Sequence, residues 1–159
     1  MIIRLATDAD RPFLEAFAKA ATAERGFESL WSERPIDWAR VTLTDRTIAL
    51  VAVRDEPIGC YVAVIQQHPI GGRLYGEQML WYVRPEYRGT LAGPALLDAY
   101  EDCCLTHGIT QVMVKTPVAR PRLRRWLETR RGYQAVEVAC VRELRAPPPD
   151  ERIHKRREC

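Results

Sequence analysis

The chain opens on a short β-branched run, Ile2 to Leu5 (IIRL), which predicts a strand. Phe13, Leu14, Phe17 and Ala20/Ala21 then recur at helical spacing. With Thr7 or Asp8 as cap, they predict a helix from about Asp10 to Ala23. The following stretch, GFESLWSERP, is irregular, and a second short helix is expected over Ile36 to Leu43. Thr47 to Arg54 (TIALVAVR) and Ile58 to Gln67 (IGCYVAVIQQ) flank Asp55-Glu56-Pro57 and read as a hairpin. After the loop HPIGG, Gly76 to Val83 (GEQMLWYV) is a further strand. A helix from Pro94 to His107 carries Leu96, Leu97, Tyr100 and Cys103/Cys104 on one face. Ile109 to Thr116 is a strand, Pro121 to Arg131 an arginine-rich helix ended by Gly132, and Tyr133 to Leu144 a last strand with alternating apolar positions. The order β-α-α-β-β-β-α-β-α-β predicts an α/β (α+β) fold, a mixed central sheet flanked by helices.

At 159 residues, with 47% hydrophobic and 28% charged, the chain suits one globular domain, expected over residues 1–145. No apolar run approaches the length of a membrane span. The opening MIIRLATDADRP has early acids and no apolar core, so it does not read as a secretory signal. The five cysteines (Cys60, Cys103, Cys104, Cys140, Cys159) show no paired spacing. They read as reduced thiols of a cytoplasmic protein. His68, His107 and His154 lack metal-ligand spacing, so no metal site is expected. His107 before Gly108 reads as a helix C-terminus.

A net charge of +3 discriminates little, but its distribution is informative. RPRLRRWLETRR holds six arginines against one glutamate, and residues 146–159 form a proline-led basic tail expected to be disordered. The Arg120–Arg131 stripe admits a nucleic-acid partner, an acidic substrate, the 3′-phosphate of a nucleotide, or simple solvation.

The stretch VRPEYRGTLAGPALL, Val83 to Leu97, joins a strand to a helix through two glycines. Main-chain N–H groups at such a turn converge on an anion. Gly89 and Gly93 permit close approach or positive φ, Arg88 adds a positive charge, and Pro94 is placed at the first helical position. With no residue suited to magnesium, a diphosphate held by amides is the expected anion; the other reading of the stretch is a plain strand-to-helix turn with capping glycines.

These residues resemble the acetyl-CoA signature of the GNAT superfamily of N-acetyltransferases, V-x-P-x-Y-[RQ]-G-x-G-x-[GA]. Val83, Pro85, Tyr87, Arg88, Gly89 and Gly93 fill it in order. The resemblance spans Ile2 to about Leu144, including IRLATDAD at the start and ETRRGYQ near the end. It implies a GNAT-like, mostly antiparallel sheet and acetyl transfer from acetyl-CoA to a primary amine by direct attack in a ternary complex. The diphosphate of coenzyme A would sit on Arg88, Gly89, Thr90, Leu91, Ala92 and Gly93, and the pantetheine arm would pair near Tyr82 and Val83. Leu91 stands where the signature has a glycine. It suits the site if it takes negative φ, donates its N–H and turns its side chain inward. It weakens binding if positive φ is needed.

An alkylammonium acceptor must lose a proton before attack. Glu77 matches a position that relatives use as general base, and otherwise reads as an acid at a strand end. The tyrosine that commonly protonates the leaving thiolate is replaced by Glu128. Phe27, Trp31 and Trp38 fall where relatives build the acceptor wall, and read either as lining a pocket or as plugging the core. Two alternatives accompany the enzyme reading. One is a non-catalytic, CoA-binding regulatory protein, and the other a nucleic-acid-associated acyltransferase using the arginine stripe. The acceptor class, small molecule or protein, and the choice between monomer and homodimer stay open.

Overall fold

A computed structural model of the chain describes residues 1–24, 46–117 and 120–136. The expected Ile36–Leu43 helix, the aromatics Phe27, Trp31 and Trp38, the basic tail, Cys140 and Cys159 lie outside them. The chain divides into two compact units, Met1–Ala119 and Arg120–Cys159.

In the first unit, β1 (Ile2–Leu5), β2 (Thr47–Val53), β3 (Pro57–Gln67), β4 (Leu74–Val83) and β5 (Val112–Met113) form one sheet in sequence order. All neighbours are antiparallel except β4 and β5, which run parallel. The hairpin closes at the expected Asp55-Glu56-Pro57, because Pro57 cannot donate to a ladder and turns the chain into β3.

Among the described residues of this unit, one helix packs on each sheet face. On α1 (Arg11–Glu24), Leu14, Phe17, Ala18 and Ala21 are spaced i, i+3, i+4 and i+7. They pack on Ala49, Val51, Cys60, Val62, Leu80 and Tyr82. A fully buried leucine or phenylalanine there contributes about 1.5–3 kcal/mol. Asp10, 3% exposed, caps the entry to α1 by accepting from Thr7 N–H at 2.8 Å and Thr7 Oγ1 at 3.0 Å. On α2 (Ala92–Thr106), Leu96, Leu97, Tyr100 and Cys104 are buried, with Tyr100 stacked on Tyr61 at 4.5 Å. Gly76 is required here, since a Cβ would collide with the Tyr100 hydroxyl and the Cys104 sulfur. The helix ends at His107, as expected, with Gly108 at φ +71°. Adjacent Cys103 and Cys104 diverge: the second is buried, the first half-buried.

The two faces require a change of phase inside β4. Gly76 meets α2, whereas Leu80 and Tyr82, also even-numbered, face α1. Strict alternation forbids this. The pairing Val62↔Leu80 followed by Ala63↔Gln78 supplies the extra residue, a β-bulge at Met79.

In the second unit, α3 (Pro121–Arg131) occupies the range expected, and Gly132 ends it at φ +73°. Arg124 pairs with Glu128 at 2.9 Å, and the Arg131 guanidinium lies 5.7 Å from the Trp126 ring. Tyr133 to Val136, expected to begin the last strand, are not part of a strand among the described residues. Tyr133 N–H instead bonds back to Leu127 O at 3.2 Å. The remainder of that strand lies outside the described residues. Among the described residues, no helix is long and apolar enough to cross a membrane, and no side-chain cluster could hold a metal ion.

Candidate active site

From the end of β4 the chain turns through a 3-10 segment, Pro85–Tyr87, in which Tyr87 N–H and Arg88 N–H bond to Arg84 O and Pro85 O at 2.9 and 3.2 Å. Gly89 follows at φ +78° with open space where a Cβ would stand. Its glycine is therefore a conformational requirement and not a steric one. Thr90 Oγ1 donates to Tyr87 O at 2.7 Å and accepts from Ala92 N–H at 3.2 Å. The first helical bond runs from Ala95 N–H to Leu91 O at 2.9 Å.

Arg88 and Ala92 amides are thus consumed within the turn. Those of Gly89, Thr90, Leu91 and Gly93 have no partner among the described residues. They gather at the positive end of the fifteen-residue α2. Pro94 stands third in the helix, two places later than expected. Its missing N–H still costs nothing there, since the first four amides of a helix are without internal partners.

Leu91 has φ −73° and ψ −6°, as the negative-φ expectation required. The inward side chain is corrected: Leu91 is 76% exposed. The turn needs its amide and leaves its side chain in solvent. Arg88 also departs from expectation. Its Nε donates to Val83 O at 2.8 Å, its terminal nitrogen pairs with Glu24 at the end of α1, and its guanidinium lies 5.4 Å from the centre of the Tyr82 ring. It braces the turn against α1 and does not stand free for an anion. Gly93 has no positive φ; it faces Trp81, 3.6 Å from where a Cβ would be.

The strand before the turn offers a second feature. Arg84 N–H bonds to Ile58 O at 2.9 Å, in register with Tyr82↔Cys60. Main-chain groups alternate in direction along a strand, so Tyr82 and Leu80 point toward β3. Among the described residues β4 and β5 pair only at Gly76↔Val112 and Glu77↔Met113, so Trp81 and Val83 point the other way, along an edge that β5 has left and where the Val83 carbonyl accepts from Arg88 Nε. Of the two residues expected to pair with an extended ligand, Val83 has its main chain on this edge and Tyr82 does not. Trp81, not singled out in the sequence, also has its main chain on this edge.

Glu77 lies where β4 and β5 part, and it is closely held. Lys115 Nζ forms an ion pair with its Oε1, Gln66 Nε2 donates to its Oε2 at 2.7 Å, and the Tyr75 hydroxyl stands 3.5 Å from that same oxygen. Its side chain is 15% exposed. Gln78, 1% exposed, accepts Lys115 N–H at 3.0 Å. Lys115, Gln66, Tyr75 and Gln78 were not singled out in the sequence. The available signal was a glutamine inside an otherwise apolar run beside Glu77.

Other reactive side chains are muted. Burial pushes the Cys60 thiol far up, and Cys104 up to about 11 despite its hydrogen bond with Tyr100. Burial, with the nearby charge of Glu24, raises the Tyr82 phenol. Glu128, at the position of the absent tyrosine, is paired with Arg124. A depression of about 280 Å³, lined by Arg46, Ile65, Gln67, Leu74, His107 and Ile109, lies at the opposite end of β4 from the turn.

The Acetyltransferase (GNAT) family pattern matches residues 10–133. Comparison with curated proteins found no significant match. Among solved structures, the chain is similar to a tetramutant of the BH1408 protein from Bacillus halodurans, at 19% identity and a TM-score of 0.71, covering 91% of this chain and 100% of that one. It is similar to a ribosomal-protein-alanine N-acetyltransferase from Brucella melitensis biovar Abortus 2308, at 19% identity and a TM-score of 0.65, covering 91% and 99%. It is also similar to AAC(6')-Iy in complex with the bisubstrate analog CoA-S-monomethyl-acetylneamine, at 16% identity and a TM-score of 0.68, covering 91% and 98%. At these identities the structures share the fold. The match to the family pattern, over most of the chain and across the whole strand–turn–helix segment, shows that this chain belongs to the GNAT acetyltransferase family.

Proposed function

We propose that the protein is an N-acetyltransferase that moves an acetyl group from acetyl-CoA to a primary amine by direct attack in a ternary complex. The observation that carries this reading is the group of four amides without a partner among the described residues, Gly89, Thr90, Leu91 and Gly93, at the start of α2 and beside the edge of β4 that β5 has left. Such amides fit a diphosphate, and the helix dipole favours its charge. Acetyl-CoA supplies the activated acyl group as a thioester.

The chain's own residues then do the following. The turn holds the anion, and Arg88 keeps the turn rigid by tying Val83 O to the end of α1. The main-chain groups of Trp81 and the N–H of Val83 align an extended arm as an added strand. Glu77 receives the proton that the acceptor ammonium must lose, directly or through water. Gln66 and Tyr75 orient the carboxylate. The negative φ of Leu91 supports the catalytic reading over a purely regulatory one, since the non-glycine residue leaves the turn intact.

Calorimetry with acetyl-CoA, CoA and a pantetheine fragment lacking the diphosphate tests the site. Affinity is expected to fall sharply for the fragment, and equal affinity would place the cofactor elsewhere. Thiol release from acetyl-CoA across a panel of amines, peptides and nucleic acids then tests transfer and identifies the acceptor class.

A further inference from the structure

We infer that Lys115 is a self-acetylation site of this protein, and that its modification frees Glu77 for an external amine. The inference rests on the acetyl-CoA reading given above. Lys115 is anchored by its main chain to buried Gln78, where β4 and β5 separate and one residue before the Met79 bulge. Its side chain is 53% exposed and returns to Glu77, whose carboxylate is mostly covered. The Lys115 ammonium therefore occupies the place that an acceptor ammonium must take to give a proton to Glu77. An internal alkylammonium and an external one compete for the same oxygen.

The residue type is informative. Of the 24 Lys and Arg residues, only three are lysines: Lys19, Lys115 and Lys155. Arginine would make a firmer pair with a carboxylate through two parallel hydrogen bonds, but it never loses its proton. A chain that uses arginine almost everywhere has its ionisable, nucleophilic cation against this carboxylate.

The step balances without a further reagent. Glu77 takes one proton from the Lys115 ammonium, and the neutral Nζ attacks the thioester carbonyl carbon. The C–N bond forms and the C–S bond breaks, with the electron pair leaving on the sulfur of CoA. Nitrogen then sheds a second proton. One of the two protons ends on the thiol of CoA and the other reaches solvent, leaving N-acetyllysine and free CoA. The neutral amide cannot hold the ion pair, so Glu77 keeps only Gln66 and Tyr75 and faces an incoming amine.

The test incubates the full chain with acetyl-CoA carrying a deuterated acetyl group, followed by proteolysis and tandem mass spectrometry. The isotope separates new label from acetylation acquired during expression. Label is expected on Lys115 and not on Lys19. Its rate should saturate with acetyl-CoA and be unchanged on diluting the protein. Lys115→Arg should abolish it, and Glu77→Gln should slow it at least tenfold. The acetylated chain should show a severalfold lower KM for an added amine. A chain that binds acetyl-CoA and acetylates an added amine, yet leaves Lys115 unlabelled, overturns the inference and spares the acyltransfer reading. A chain that does not bind acetyl-CoA in calorimetry overturns both. Equal label on Lys19 and Lys115, linear in acetyl-CoA and unaffected by Gly89→Asp, is background acylation and overturns the inference too. An unchanged acceptor KM after acetylation overturns the release of Glu77.

Discussion

Gln78 Oε1, buried to 1% exposure, accepts the main-chain N–H of Lys115 at 3.0 Å. The last ladder pair between β4 and β5 is Glu77↔Met113, so beyond it a side chain, and not the β4 main chain, takes an edge amide. Gln78 thereby satisfies a polar group that the parting of the strands would leave unpaired.

Gln78→Met keeps the length of the side chain and removes the acceptor. Leaving Lys115 N–H and its surroundings unsatisfied should cost about 1–3 kcal/mol. A lowered Tm is expected, with acetyl transfer reduced more than acetyl-CoA affinity. Wild-type Tm and turnover would show that the hydrogen bond is dispensable.

Gly89 separates conformation from charge. Gly89→Ala should lower stability by roughly 1–2 kcal/mol, because φ +78° is unfavourable for any residue with a Cβ, although the space is open. Gly89→Asp should in addition weaken acetyl-CoA binding severely, by placing a carboxylate at the diphosphate site. Calorimetry of the two variants at one temperature checks this, and matched affinities would move the anion site elsewhere.

Leu91→Gly should change little. The side chain is exposed and φ is already negative, so the cost is only the added freedom of glycine, about 1 kcal/mol or less. Acetyl-CoA affinity should be unchanged. A large gain in affinity would show that the leucine obstructs the site.

Glu77→Gln should keep the fold and acetyl-CoA affinity while lowering turnover by about 10²–10⁴-fold. Turnover within about twofold of wild type at every pH would make Glu77 a spectator.

Asp10 links stability to pH. The Arg4 guanidinium, with 2.7 and 2.9 Å contacts, and Thr7 hold its carboxyl down to about 2, overcoming the opposing effect of burial. A carboxyl depressed in the folded state stabilises above its unfolded pKa near 4 and loses that contribution as pH falls through about 2. The contribution at neutral pH is roughly 2 kcal/mol. Asp10→Asn should therefore lower Tm at pH 7, and the gap from wild type should narrow below pH 4. A gap independent of pH would assign the loss to capping geometry alone.

Much of the fold was legible because it is written within single segments. The amphipathic spacing of Leu14, Phe17 and Ala21 marks α1, and Pro121 with Gly132 marks both ends of α3. The turn from Val83 to Gly93 was legible for the same reason, since backbone conformation at Gly89 and helix entry depend on near neighbours. Shorter elements were less so. β5 shrinks from the expected Ile109–Thr116 to Val112–Met113, because a strand lasts only as long as its neighbour stays beside it.

By itself, then, the sequence determined the types of the elements described, β1 to β5 and α1 to α3, the strand–turn–helix motif and the placement of Glu77 near its end of β4, all of which follow from periodicity and local stereochemistry. Tertiary structure alone decided the bulge at Met79, the outward direction of Trp81 and Val83, the exposure of Leu91, the brace from Arg88 to Glu24 and the pairing of Lys115 with Glu77. These depend on which strand or helix lies alongside, and their partners are as many as 64 residues apart in the chain. A pattern read along one segment carries no record of its neighbour across the sheet. The chemistry of this site is set by those neighbours.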